Sequence, residues 1–164
     1  GYSGFLKENK NMTDIFADVE PMVFKSGINV PYTWWTGETA GAFLMAIRDE
    51  KKIMGRKCVK CNKTYVPPRK VCPVCFQDGM EWVEVSPVGV LESFTTVRRQ
   101  LAALPRKVPV VFGLIRLDGA DTSVLHYIEV ADHRKIKIGM RLKVKFCNER
   151  NGTIHDIACF VPVE

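Results

Sequence analysis

Residues 58–75 read CVKCNKTYVPPRKVCPVC, and this stretch decides how the middle of the chain folds. Its two C-x2-C pairs are separated by ten residues; the cysteines are Cys58, Cys61, Cys72 and Cys75. Two residues between cysteines let one tight turn aim both sulfurs at a single ion, and two such turns supply four thiolates at tetrahedral corners. The spacer is long enough for one short hairpin. The pattern therefore predicts a four-cysteine metal site in a zinc ribbon.

Disulfides and a redox-active C-x-x-C are the other uses of such cysteine pairs. Disulfides are typical of secreted proteins, and the N-terminal residues show no signal-peptide pattern, which favours a cytoplasmic location. A thioredoxin-like motif follows a strand and opens a helix, which Pro67-Pro68 does not favour. Iron fits the same four-sulfur geometry, so it remains the alternative to Zn²⁺. Four protein ligands leave no open position, so the ion is expected to be structural.

The residues around the cysteine pairs extend this prediction. Lys51–Lys57 and Glu81–Val85 are predicted as the strands that flank the hairpin. Asn62 follows the first pair, where a left-handed backbone is useful and asparagine tolerates it. Phe76 follows the second pair, where glycine would be easier, so a looser second turn is expected.

A helix is predicted before the ribbon and aromatic residues precede it. Thr36 can cap a helix that runs to about Glu50. Its apolar face needs a partner surface and consists of Ala40, Phe43, Leu44 and Ile47. The preceding aromatics either fill a core or form a docking arm for another protein; they are Tyr32, Trp34 and Trp35.

The C-terminal half changes to β-branched residues with a period of two, which predicts a small barrel. The five predicted strands are Val88–Val97, Val108–Leu117, Ser123–Val130, Arg141–Phe146 and Thr153–Val161. Gly113 suggests a bulge or bend in the second of them. Such strands fit an OB-fold, and an open sandwich is the alternative. The fold class expected is therefore mainly β: an N-terminal helical arm, a rubredoxin-like zinc ribbon and a five-stranded OB-fold barrel.

Charge divides the chain in the same places. Residues 1–50 carry a net charge of −3, residues 51–85 carry +5 and residues 86–164 carry +4, which add to the total of +6. These shifts predict three domains: the arm, the ribbon and the barrel. No window approaches the ~18 consecutive apolar residues of a membrane helix, which argues against a spanning segment.

The order of these parts resembles a known family. The most specific feature is Pro67-Pro68-Arg69 between the cysteine pairs, and Gly89 with Ser93-Phe94-Thr95 in the first barrel strand adds to it. On these motifs the chain resembles the zinc-ribbon plus OB-fold family long filed as domain of unknown function thirty-five. Phe76 departs from the glycine often found after the second pair, which puts the local turn in doubt but not the metal.

The resemblance implies a non-catalytic accessory subunit. Similar proteins assemble with thiolases, and in some cases with enoyl-CoA hydratases. The thiolase carries the nucleophilic cysteine, and its partner bridges subunits and helps shape the site for CoA or acyl-CoA. Some related pairs act on aromatic-compound intermediates, including the benzoylsuccinyl-CoA thiolase. A hetero-oligomer with a thiolase-like catalytic subunit is therefore the expected assembly.

The remaining reactive residues do not predict a self-contained active site. Thiolysis needs an activated cysteine, an acid/base partner and oxyanion donors. Cys147 and Cys159 fall in the region of predicted strands, where free cysteine usually behaves as a small buried hydrophobe. Cys147 shares its alternation phase with Lys143 and Lys145, so an exposed position is the alternative for it. No histidine motif lies beside them, and the histidines are scattered at His126, His133 and His155.

Four cations flank one predicted hairpin loop: Arg98, Arg99, Arg106 and Lys107. Such a cluster favours an anionic phosphate. Under the family resemblance these residues are the candidates for binding CoA, and a solvated loop is the alternative.

A single-stranded nucleic-acid-binding module is the competing function. Ribbons and OB barrels both occur in such proteins, and the chain is basic. The aromatics that would stack bases mostly look core-facing by alternation; they are Phe94, Phe112, Tyr127 and Phe146.

Overall fold

The computed structural model describes residues 18–20, 22–23, 27, 30–100, 102 and 104–163. The chain divides into two compact units, Gly1–Trp34 and Trp35–Glu164. The first unit is described only in part, and the second contains every described helix and strand. The division into three domains at residues 50 and 86 stays a prediction. No described helix has the length and apolar character needed to cross a membrane.

Helix α1, Glu38–Glu50, begins without the side-chain cap predicted for it. Gly37, not Thr36, is the N-cap residue, and its φ of 83° is a conformation that favours glycine. The carbonyl of Gly37 accepts a hydrogen bond from the Gly41 amide at 2.9 Å. The helix therefore starts one residue later than a threonine cap would place it.

The predicted apolar face of α1 does enter the main core. Phe43 and Ile47 are buried and Leu44 is half-buried, whereas Ala40 is exposed. The aromatic residues before the helix do not fill a core of the described chain, because their side chains are exposed; they are Tyr32, Trp34 and Trp35. A docking role for them stays a prediction.

The ribbon is a three-stranded antiparallel sheet. Its strands are β1 (Ile53–Cys58), β2 (Thr64–Tyr65) and β3 (Met80–Val85), in the order β2-β1-β3. The two predicted flanking strands correspond to β1 and β3. The spacer between the cysteine pairs supplies β2, which turns back against β1 and pairs Arg56 with Tyr65.

The second half of the chain is a closed five-stranded barrel, as the OB-fold prediction required. The strands are β4 (Val88–Val97), β5 (Val110–Leu117), β6 (Ser123–Ile128), β7 (Arg141–Phe146) and β8 (Ile157–Pro162). They close in the order β4-β5-β6-β8-β7. All pairings are antiparallel except β6 with β8, which is parallel and joins one residue pair, Ile128 with Phe160.

The predicted strand Thr153–Val161 is wrong at its beginning, where the chain forms a helical turn. Residues Ile154–Asp156 form a 3₁₀ helix, and β8 begins only at Ile157. The buried Asp156 carboxylate accepts hydrogen bonds from the backbone amides of Asn151 and Gly152, at 2.9 and 2.8 Å. Burial would raise the pKa of Asp156, but these amides lower it overall. The Asp156 carboxylate therefore stabilises this turn, and β8 begins only after it.

Gly113, which was predicted to mark a bulge or a bend, does not mark a bulge. It pairs regularly with Phe94 and His126, and the register shift lies in β4 between Leu91 and Ser93. Glycine is needed for space, because a Cβ at this position would come within 2.3 Å of Ile128 Cδ1 and 2.7 Å of Leu91 Cδ1. The barrel interior is therefore filled up to the backbone of β5.

Candidate functional site

The four cysteine sulfurs form one compact cluster. Their Sγ atoms all lie within 4.8 Å of one another, and Cys58 and Cys72 are fully buried while Cys61 and Cys75 are half-buried. The Cys61 and Cys72 sulfurs are 3.7 Å apart. A Zn–S distance of ~2.3 Å gives tetrahedral sulfur–sulfur edges of about 3.8 Å. The donor set therefore fits a structural Zn²⁺ held by four thiolates.

The two cysteine turns have the same backbone construction. In the first, the Asn62 amide donates to the Cys58 carbonyl at 2.8 Å; in the second, the Phe76 amide donates to the Cys72 carbonyl at 2.9 Å. Asn62 and Phe76 both have left-handed backbones, with φ of 57° and 53°. The expected looser turn at Phe76 is wrong: the phenylalanine adopts the strained conformation, with its side chain exposed.

Cys72 receives additional polar support. The Tyr65 hydroxyl lies 3.5 Å from Cys72 Sγ, and the Cys75 amide donates to the same sulfur at 3.4 Å. Burial by itself raises the pKa of Cys72, but hydrogen bonds led by that from Tyr65 bring it down to about 6. Burial raises the pKa of Cys75 to about 12. These contacts therefore favour a thiolate at Cys72, whereas burial and the neighbouring thiols disfavour one at Cys75.

Hydrogen bonds join the ribbon to the barrel at the turn between β5 and β6. Thr64 donates its amide to the Asp121 carboxylate at 2.8 Å, and its carbonyl accepts from the Asp121 amide at 2.8 Å. Thr122 Oγ1 accepts from the Val66 amide at 2.8 Å and donates to the Val66 carbonyl at 2.9 Å. This connection was not predicted, because nothing in the sequence relates residues 64–66 to residues 121–122.

The predicted cationic loop is held together by Gln100. Its side-chain amide donates to the carbonyls of Leu104 and Arg106, and its oxygen accepts from the Val108 amide at 3.2 Å. Arg98 lines a cavity of about 580 Å³ together with His133, Arg134 and Asp132, and the Asp132 carboxylate accepts a hydrogen bond from Arg134 Nε at 3.2 Å. The polar bridges and the cavity give this part of the surface a defined shape.

Three of the four predicted cations line two neighbouring cavities. Arg106 and Lys107 line a smaller one of about 170 Å³, which shares Pro109 and His133 with the cavity beside Arg98. Arg99 is exposed and lines neither. His133 and Arg134 were not predicted as site residues, although the basic run at 133–135 was a usable signal.

Arg106 is fixed in a way that the loop prediction did not include. Its guanidinium donates to the Ala158 carbonyl at 2.5 Å and lies over the Tyr127 ring, 4.1 Å from the centroid. It therefore contacts β6 and β8 at once. This leaves Arg98 and Lys107 as the loop cations better placed for a phosphate.

The two remaining cysteines are restrained by nearby oxygens. Cys147 is half-buried just after β7 and donates from its sulfur to the His155 carbonyl at 3.2 Å. Cys159 is buried and donates to Glu129 Oε2 at 3.0 Å. Burial, together with the Glu129 carboxylate, raises the pKa of Cys159 to about 12, which disfavours a thiolate.

The orientation of the barrel aromatics differs in part from the prediction. Phe94 and Phe146 pack against the core. Phe112 and Tyr127 instead face outward on β5 and β6, half-buried, with ring centroids 4.7 Å apart. His126 faces the interior beside Phe160, and its Nε2 lies 3.4 Å from the Ile154 carbonyl. The prediction for Phe112 and Tyr127 is wrong because alternation shows which residues share a face of a strand but not which of the two faces is buried.

Comparison with known proteins defines the class of this fold. Residues 45–81 match the model of the ChsH2 rubredoxin-like zinc ribbon domain, and residues 82–147 match that of the ChsH2 C-terminal OB-fold domain. The two matches adjoin and together span more than half of the chain. The chain belongs to this ChsH2-type zinc-ribbon and OB-fold family, which is also known as DUF35.

Individual relatives agree with this assignment. A DUF35 domain-containing scaffold protein of Methanothermobacter thermautotrophicus is 25% identical over 95 residues, which are 57% of this chain and 71% of that protein. A solved DUF35 protein of unknown function from Sulfolobus solfataricus is 29% identical, with a TM-score of 0.54 over 66% of this chain and 78% of its own.

A solved chain described as Ltp2-ChsH2(DUF35) aldolase has a TM-score of 0.59. It is 19% identical and covers 79% of this chain and 98% of its own, so this likeness concerns the fold.

Proposed function

We propose that this chain is a non-catalytic scaffold subunit that binds an acyl-CoA thiolase and contributes to its CoA site. The observation that carries the proposal is the adjoining match of residues 45–147 to both ChsH2 domains. Similarity to a protein described as a scaffold supports the same role. The reaction served would be thiolytic cleavage or formation of a 3-oxoacyl-CoA, with an aromatic acyl group as the first substrate to test.

The state of the cysteines supports a division of labour between two subunits. Four belong to the ribbon cluster, and Cys159 is buried with a raised pKa. The Cys147 thiol donates its hydrogen bond to the His155 carbonyl and not to a basic side chain. A thiolase nucleophile needs an accessible thiolate beside a base. The partner would therefore supply the nucleophile, while this chain holds the assembly together.

The cavity beside Arg98 supports a contribution to CoA binding. Arg98, His133 and Arg134 line it, and its volume of about 580 Å³ is in the range of small-molecule sites. Asp132 lines it as well and pairs with Arg134 at 3.2 Å, so Arg98 is the cation that carries the expectation of phosphate binding. Lys107 lines the adjoining cavity. Guanidinium groups bind phosphate oxygens in a bidentate manner, so the diphosphate or ribose phosphate of CoA is the part that would lie here.

Reconstitution tests the scaffold role. The tagged chain is isolated from its native cells, the bound catalytic subunit is identified by mass spectrometry, and the two are purified separately. We expect thiolysis only when they are recombined. Full thiolysis by the partner alone would refute the proposal. A partner of the aldolase or enoyl-CoA hydratase class would keep the scaffold role and replace the thiolase.

Two adjacent arginines offer a matched test of the CoA cavity. In the recombined complex, Arg98→Ala should raise the KM for CoA about tenfold, which corresponds to about 1.4 kcal/mol. Arg99→Ala removes the same charge from a side chain that lines neither cavity, and should leave KM unchanged. Equal effects of the two variants would indicate a diffuse charge effect and not a site.

The outward pair Phe112 and Tyr127 favours one second candidate, a single-stranded nucleic-acid module. Fluorescence anisotropy with a labelled oligothymidine tests it. Binding that weakens steeply as salt rises would support this candidate, and no binding at low salt would exclude it.

A further inference from the structure

Strand β6 has an edge whose backbone groups are unpaired over most of its length. The Glu129 amide donates to the Phe160 carbonyl at 2.8 Å, and Ile128 with Phe160 is the one residue pair between β6 and β8. Backbone groups alternate in direction along a strand, so those of Ser123 and Leu125 point to the same side as those of Glu129. No described strand lies beside them there.

The outward side chains of β6 are apolar at Leu125 and Tyr127, whereas Ser123 at the start of the strand donates its hydroxyl to the Glu92 carboxylate. Leu125 is 62% exposed and pairs across the ladder with Leu114, which is 40% exposed. Phe112 and Tyr127 form the next pair along the same face. Natural edges are usually blocked by charge or proline. The edge residues of β6 that face outward, Ser123, Leu125 and Tyr127, include neither.

Two other free edges in the described chain are less apolar. Strand β3 lies at the edge of the ribbon sheet and carries Glu81 and Glu84. The second half of β4 pairs only with β5, and its exposed side chains there are Ser93 and Thr95. The apolar character of the β6 edge therefore distinguishes it from the edges of β3 and β4.

A cavity lies beside the same edge. It has a volume of about 280 Å³ and is lined by Tyr127 of β6, by Ile157 and Ala158 of β8, and by Cys147, His155, Pro105 and Arg106. Arg106 spans it, since it contacts both the Tyr127 ring and the Ala158 carbonyl. That carbonyl is a neutral acceptor, and Lys107 follows Arg106 in the chain, while the Glu129 carboxylate lines the neighbouring cavity with both.

We propose that the β6 edge binds an extended segment of the catalytic partner subunit by strand addition. The segment would hydrogen-bond to the backbone of Ser123–Tyr127, a length of about 16 Å. Its alternate side chains would be apolar, to cover Leu125 and Leu114, and an acidic residue would lie next to Arg106. The proposal rests on the proposed function for the existence of such a partner, and it adds the surface and the chemistry of the contact.

Proline substitution tests the backbone contact directly. The Leu125 amide points away from β5, so Leu125→Pro removes a donor from the free edge without breaking the β5–β6 ladder. Leu125→Thr is the matched control, because it loses the leucine contacts but keeps the amide. Binding of the purified catalytic subunit should be about tenfold weaker for L125P than for L125T. Equal affinities of the two variants would overturn the proposal.

Hydrogen exchange on the wild-type chain gives an independent answer if L125P misfolds. In the free chain the Leu125 amide should exchange faster than those of Val124 and His126, which point toward β5. In the complex the Leu125 amide should become protected. If a complex forms but the Leu125 amide still exchanges rapidly, strand addition is refuted and the proposed function stands. If no catalytic subunit binds the wild-type chain, the proposed function itself is refuted.

Discussion

Replacement of Thr122 by valine tests how strongly the barrel supports the ribbon. The hydroxyl of Thr122 bonds both the amide and the carbonyl of Val66, and Val66 is 1% exposed. Valine has nearly the same shape but cannot form either bond, so two buried backbone groups lose their partner. Each such loss costs ~1–3 kcal/mol, so the two together should lower the free energy of unfolding by about 2–6 kcal/mol.

Urea unfolding of the zinc-loaded chain measures this decrease, and zinc transfer to a chromogenic chelator reports whether the ribbon is loosened. Thr95→Val is the control, since Thr95 is exposed on β4 and its hydroxyl has no hydrogen bond among the described residues. We expect Thr122→Val to lose stability and release zinc faster, and Thr95→Val to do neither. A change below about 0.5 kcal/mol for Thr122→Val would show that water replaces the hydroxyl and that the connection is weak.

Three further predictions concern the metal, the barrel interior and pH. Chelation of zinc should unfold the ribbon, which would be measured as a loss of amide protection in β1–β3. The reason is that the four buried or half-buried cysteines have no other partner of comparable strength. Retained protection would contradict a structural metal. Gly113→Ala should lower the free energy of unfolding by about 1–3 kcal/mol through overpacking. Gly41→Ala in α1 is the control: its Cβ would meet nothing closer than 3.6 Å, so this variant should be slightly more stable than the wild type. Urea midpoints measure both changes. Burial lowers the pKa of His126 from 6.5, so the folded state favours the neutral ring. Stability should therefore fall as the pH drops from 6.5 through the lowered pKa. The difference between the wild type and His126→Gln isolates this contribution, and parallel pH profiles of the two would refute it.

The ribbon and the barrel could be predicted from sequence because local patterns encode them. The cysteine spacing defines a metal site without reference to the rest of the chain, and the strands of the barrel have a period of two. Boundaries were less accurate where polar side chains intervene. At β8 the Asp156 carboxylate captures two backbone amides and forms a turn inside the predicted strand.

What could not be predicted depends on contacts between distant residues. The bonds between Thr122 and Val66 join positions 56 residues apart. The outward direction of Tyr127 depends on which face of β6 meets the barrel interior, and alternation leaves that open. The direction of Arg106 toward Ala158 depends on how β6 and β8 separate after their single residue pair.

The placement of the cysteines has a practical consequence for experiments on assembly. With zinc bound, four of the six thiols are ligands, and Cys159 is buried, so Cys147 is the one that remains half-exposed. A maleimide dye should therefore attach at a single position in the native chain, with no engineered cysteine. Since Cys147 lines the cavity beside the β6 edge, the dye would report the arrival of a partner at that edge as a change in its emission.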